Sequence, residues 1–184
     1  RRTGGGLDLP TGDLRKQHPS VRVGASLKEV KERWGRAMDA LSPRGDQDTV
    51  DAFLRQLWAS KTGVVRVKAL YSTIKPSITT PEQAVVFAQE LADAAPLWSA
   101  MFDRDADLWN DYPVEVTAGL DSLRYLQVEQ CRPLLLAALR RLDRSQIEEL
   151  LSLIVGWSVR WSVSGGGGAG VGEGLYARRA RNDP

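Results

Sequence analysis

The run from Pro133 to Trp161, PLLLAALRRLDRSQIEELLSLIVGWSVRW, decides the fold class. Leu134 to Leu142 is apolar almost all round, as befits a helix buried at the centre of a domain. Ser145 and Glu148 then stand at the spacing of a capping box, in which hydroxyl and carboxylate each satisfy an orphan amide at a helix start. Beyond them Ile147, Leu150, Leu151, Ile154, Trp157 and Trp161 recur three and four residues apart, which predicts a long final helix ending at the glycine-rich stretch Gly165 to Gly174.

Upstream the same period returns. Leu120, Leu123, Leu126 and Val128 supply a helical face, and Asp103 to Pro113 reads as a polar connection. Thr80-Pro81-Glu82 starts a helix with a cap, a proline at the first helical position and an acid in the first turn. That helix runs through Val85, Val86, Ala88 and Leu91 to Pro96, which is expected to end or kink it. Val67, Leu70, Tyr71 and Ile74 form a short helix that stops at Lys75-Pro76. Val50, Phe53, Leu54, Leu57 and Trp58 form another, capped by Asp48 or Thr49 and ended near Gly63. Leu27, Val30, Trp34, Met38 and Leu41 form the first, with Ser26 and Glu29 as its capping box. No run alternates as a strand would, and no repeat period stands out. The expected architecture is therefore all-α, a single-domain bundle of about six to eight helices. Residues 1–24 read as a flexible N-terminal arm, 25–164 as the helical bundle, and 165–184 as a Gly-rich loop and basic C-terminal segment.

Composition excludes several classes. With 42% hydrophobic and 26% charged residues among 184, the chain has enough apolar surface for a core and too many charges for a membrane protein. No apolar stretch nears the roughly 18 to 20 residues needed to cross a bilayer. The lone cysteine, Cys131, cannot form an internal disulfide or a multi-cysteine zinc site, and fits a reducing cytoplasm. The opening Arg1-Arg2-Thr3-Gly4-Gly5-Gly6, without methionine or apolar leader, reads as the start of a fragment.

Charge is uneven although the net is only +2. From Asp51 to Lys75 the cations Arg55, Lys61, Arg66, Lys68 and Lys75 face Asp51 alone, whereas from Glu82 to Glu115 eight carboxylates face only Arg104. Arg55, Lys61, Arg66 and Lys68 are the candidate nucleic-acid contacts, because lysine and arginine release counterions from phosphates. Trp58 and Tyr71, interleaved with them, either stack on bases or pack in the core, and their places on apolar faces favour the core. Arg178, Arg179 and Arg181 form a second small basic cluster.

No catalytic centre can be assembled. Gly165-x-Gly167-x-x-Gly170 matches the dinucleotide fingerprint formally, but a helix precedes it where a strand is required, and a mobile loop is expected instead. Asp103-x-Asp105-x-Asp107 opens like a calcium loop, yet position six is Leu108 and position twelve Val114, so a solvated acidic loop is expected and no metal site. His18 is the only histidine, on the N-terminal arm, and Cys131 beside an apolar run reads as a small core residue.

The segment Phe53-Leu54-Arg55-Gln56-Leu57-Trp58-Ala59-Ser60-Lys61-Thr62-Gly63, followed by Val65 to Tyr71 and Ile74-Lys75, resembles a recurrent segment of the GmrSD-type restriction proteins. The resemblance continues through Ile147 to Leu150, Val159-Arg160, the glycine loop and Glu173-x-x-Tyr176-Ala177. That family, which includes SspE-like factors that sense phosphorothioate-modified DNA, joins a ParB-like nucleotide-hydrolysing region to helices and often to a C-terminal HNH nuclease. The resemblance implies a bacterial, cytoplasmic antiphage role with DNA, an NTPase region and a nuclease region as partners, and GTP or another NTP with a divalent metal in the parent protein. It implies no cofactor for this chain, which lacks the family's Asp-Gly-Gln-Gln-Arg motif. The alternative is a non-catalytic interaction scaffold that docks a basic partner on its acidic surface.

Overall fold

The computed structural model describes residues 19–42, 47–163, 176 and 178–181, and among them every regular element is helical. In chain order the helices are α1 (Pro19–Leu41), α2 (Gln47–Ala59), α3 (Val67–Ile74), α4 (Pro81–Ala100), α5 (Val114–Tyr125), α6 (Arg132–Leu139) and α7 (Arg144–Val163). Short 3-10 turns at Lys75–Ser77 and Asp107–Trp109 complete the set. The fold class is the all-α bundle that the apolar periodicity predicts. The glycine-rich stretch and His18 lie outside the described residues.

Small residues set the closest helix pair. The Arg33 guanidinium reaches the Val85 carbonyl at 3.3 Å and Arg36 reaches Gln89 at 3.3 Å, so α1 and α4 advance side by side in the same direction. Ala37, Ala94 and Ala95 are fully buried in the core these helices share, and alanine lets backbones approach closely. That approach turns the buried stripe of α1 towards Ala37 and Leu41. Leu27 and Trp34, expected on the apolar face, stand exposed on its flank.

Phe53 and Leu57 of α2, Leu91 and Trp98 of α4, and Leu135 and Leu136 of α6 meet in the main core. Complete burial of a side chain such as Phe53 contributes about 1.5–3 kcal/mol. The Trp98 indole N–H donates to the Gln56 side chain at 2.7 Å, satisfying a polar group carried inside by α2. α6 is central as its sequence requires, and Cys131 before it is buried, with burial pushing its thiol up to about 12. At physiological pH that thiol stays protonated and inert. On the far side α5 packs on α7 at Gly119, where a Cβ would lie 3.1 Å from Leu151 Cδ2.

Helix ends depart from expectation in several places. α1 already runs from Pro19, so Ser26 is an interior residue, residues 19–24 belong to a helix, and no capping box operates there. α2 begins at Gln47, which leaves Asp48 in the first turn, where its charge complements the helix dipole. α4 is capped at Thr80 as expected, with Gln83 completing a capping box. It passes through Pro96 to Ala100, because the exposed ring costs one backbone bond while buried Ala94, Ala95 and Trp98 hold the helix on both sides. α7 is capped by Asp143 and Gln146, whose side chains bond each other's amides at 3.0 and 3.1 Å, rather than by Ser145 and Glu148. The connection after α4 is less polar than it reads. Trp109 is buried and its indole N–H bonds the carbonyls of Ala100 at 2.9 Å and Asp103 at 3.1 Å, closing the end of α4.

Candidate nucleic-acid interface

The basic segment occupies the end of α2, the link 60–66 and α3, and the structure sorts its residues into two groups. Trp58 is 7% exposed, packed edge-on against Phe87 at 6.4 Å. It belongs to the core and offers no face to a base. Arg55 is half-buried on α2 and is not a free charge.

Lys61 is engaged as well. Its ammonium lies 2.5 Å from Glu90 of α4, which also takes Arg140 from the end of α6 at 2.8 Å. The Glu90 side chain is only 18% exposed, and burial alone would favour its neutral form. The hydrogen bonds and charges of Lys61 and Arg140 outweigh that cost and hold its carboxyl below the ordinary range. Lys61 also sits over the Trp58 ring, 5.1 Å from its centroid. The three charges therefore tie α2, α4 and α6 together, and Lys61 spends its charge inside the protein.

Arg66, Lys68, Tyr71 and Lys75 form the other group, and all four are exposed. Tyr71, which its helical position assigns to the apolar face, is 72% exposed, while Leu70 beside it is buried. The physical reason is length: α3 has eight residues, too few to bury a wide stripe, and Leu70 and Ile74 fill the inward side. Lys68, Tyr71 and Lys75 then share the outward side at spacings of three and four. The Lys75 ammonium lies 5.7 Å from the Tyr71 ring centroid. No carboxylate occurs between Asp51 and Glu82.

The C-terminal basic cluster joins this surface. Arg181 donates to the Thr62 carbonyl at 3.1 Å and lies against Gly63, whose φ of +118° turns the chain after α2. At the other end of that segment the Tyr176 ring meets Trp157 edge-on at 5.9 Å, and Trp157 stacks on Trp161 at 5.0 Å. Burial raises the Tyr176 phenol despite the nearby Ser158 hydroxyl, and among the described residues neither hydroxyl has a partner within hydrogen-bond geometry. Between these anchors Arg178 and Arg179 are exposed and Ala180 is buried. Arg66 is three residues from Gly63, at most about 11 Å along the chain, so Arg181 anchors the C-terminal cluster near the start of the basic segment of α3.

The acidic loop differs. Asp103 turns its carboxylate onto the Asp105 amide at 3.0 Å, and Arg104 pairs with Asp121 at 3.1 Å. No cluster of histidine, cysteine and carboxylate side chains among the described residues could hold a metal ion. Among the described residues no helix is long and apolar enough to cross a membrane.

Comparisons with known proteins add no relative: no family model matches the chain, and no curated protein and no solved structure is detectably similar to it.

Proposed function

We propose that this chain is the helical domain of a GmrSD/SspE-like restriction factor, acting in the bacterial cytoplasm against phage or foreign DNA, and that it offers a basic surface to nucleic acid. Nucleotide hydrolysis and strand cleavage belong to regions outside it. The observation that supports the nucleic-acid part is the carboxylate-free exposed group Arg66, Lys68 and Lys75, with Arg181 bound to the Thr62 carbonyl holding the segment of exposed Arg178 and Arg179 near the start of that group. The family part rests on the segment from Phe53 to Tyr71. Lys61 contributes by fixing the end of α2 rather than by touching phosphate.

Fluorescence anisotropy of the 184-residue chain with a labelled mixed-sequence DNA, as duplex and as separated strand, tests the reading. Five phosphate contacts predict a loss of about 500-fold in duplex affinity between roughly 50 and 200 mM salt. Arg66→Ala with Lys68→Ala weakens binding further, and absence of salt-sensitive binding to either form overturns the proposal. A scaffold docking a basic partner would instead respond to charge reversal at Asp103, Asp105 and Asp107, and the self-bonded geometry of that loop gives this alternative less support.

A further inference from the structure

The basic surface carries one aromatic ring, Tyr71, that stands 72% exposed, with only the Lys75 ammonium near it among the described residues. Tyr71 projects from α3 between Lys68 and Lys75, with Arg66 at the start of the same helix. A singly exposed aromatic is ordinary on a protein surface and needs no explanation by itself. This one differs in its setting, because the cations on either side would hold a phosphodiester backbone alongside the ring.

Duplex DNA hides its base faces within its own stack, so it could meet only the cations here. A single strand, or a base splayed from an end or bulge, exposes a π-face that Tyr71 can cover. From this we infer that Tyr71 is a base-stacking platform and that the surface prefers single-stranded nucleic acid to duplex. The inference rests on the nucleic-acid reading above and narrows its ligand. Trp58 takes no part, being enclosed by Phe87 and Lys61.

The test compares the full chain with Tyr71→Ala, Tyr71→Phe and the pair Lys68→Ala/Lys75→Ala, titrated against labelled oligothymidylate of about 15 nucleotides and a mixed-sequence duplex of similar length. Circular dichroism and urea melts confirm that each variant folds, which is expected because these residues are exposed. Tyr71→Ala should weaken oligothymidylate binding about tenfold and leave the duplex unchanged, Tyr71→Phe should retain most affinity, and the lysine pair should weaken both ligands. Unaltered oligothymidylate affinity in Tyr71→Ala, with both ligands still lost in the lysine pair, overturns the stacking role while leaving the electrostatic reading intact. Failure of both nucleic acids to bind at low salt overturns both.

Discussion

At the scale of single residues, Glu90 is the group on which the placement of charge turns. Its carboxylate accepts from Lys61 and Arg140, which lie just beyond the ends of α2 and α6, 29 and 50 positions away in sequence. Because its folded pKa is depressed, the ionised form is bound more tightly in the native state. The resulting stability is fully present above the unfolded carboxylate pKa, near 4.3, and is lost as pH falls through the lower folded value. Glu90→Gln removes the charge and leaves two cations facing a neutral amide in a partly buried site. An intermediate cost of about 2 kcal/mol is expected near pH 7, between the values for exposed and buried pairs. Urea melts of both proteins at pH 7 and near pH 2.5 check this: the gap should narrow in acid, and a gap independent of pH would remove the electrostatic account. The pair also marks a limit of sequence reading. Lys61 reads as a free cation in a basic run, and only the packing of α4 against the end of α2 brings Glu90 to it. Tyr71 erred the other way, assigned to an apolar face because periodicity cannot show that α3 is too short to bury its whole stripe.

At the scale of elements, helix existence was readable, while several helix ends were not. The spacing of Val67, Leu70 and Ile74 fixed α3, and the Thr80-Pro81 start fixed α4, because apolar period and proline geometry are local. The ends at Ser26 and Ser145 were misplaced because Ser-x-x-Glu also fits inside a helix, and the rival Asp143–Gln146 pair offers the same chemistry two positions earlier. Trp109 was lost within a polar connection since nothing local signals that its indole closes the end of α4. The end of α5 shows what such chemistry costs. Gln127 has φ +55°, the Val128 amide bonds the Leu123 carbonyl at 2.9 Å, and the Gln127 amide bonds the Arg124 carbonyl at 3.0 Å. This is a Schellman closure with glutamine at the position glycine usually takes. A side chain pays in strain for left-handed backbone, and Gln127 is exposed, so Gln127→Gly relieves it without opening a cavity. After the greater chain entropy of glycine in the unfolded state is subtracted, a gain of about 0.5–1 kcal/mol is expected. Chemical denaturation measures it directly, and a loss of stability would show that the Gln127 side chain contributes more than its backbone costs.

At the scale of the whole molecule, the bundle was legible because six segments each declare an apolar face and a seventh, Leu134 to Leu142, is apolar almost all round, whereas the interface depends on how basic segments far apart in sequence are brought together. The C-terminal arginines read as a second small basic cluster, with no sign in the sequence of what they contact. Tyr176 on Trp157 and Arg181 on the Thr62 carbonyl instead fasten that segment across the bundle, from α7 to the link after α2. If Arg178 and Arg179 act on the same ligand as Arg66, Lys68 and Lys75, they contribute to one salt dependence. For a single strand each neutralised phosphate adds about 0.7 to the slope of log affinity against log salt, so five cations give at most about −3.5. Arg178→Ala with Arg179→Ala should then flatten the slope by about 1.4. Arg181→Ala keeps both of those charges but loosens the segment that carries them, so it should flatten the slope by more than the about 0.7 expected for one charge. Affinities for oligothymidylate across a salt series separate the cases. A slope unchanged by the double substitution would mean that the two clusters, though adjacent, never share a strand.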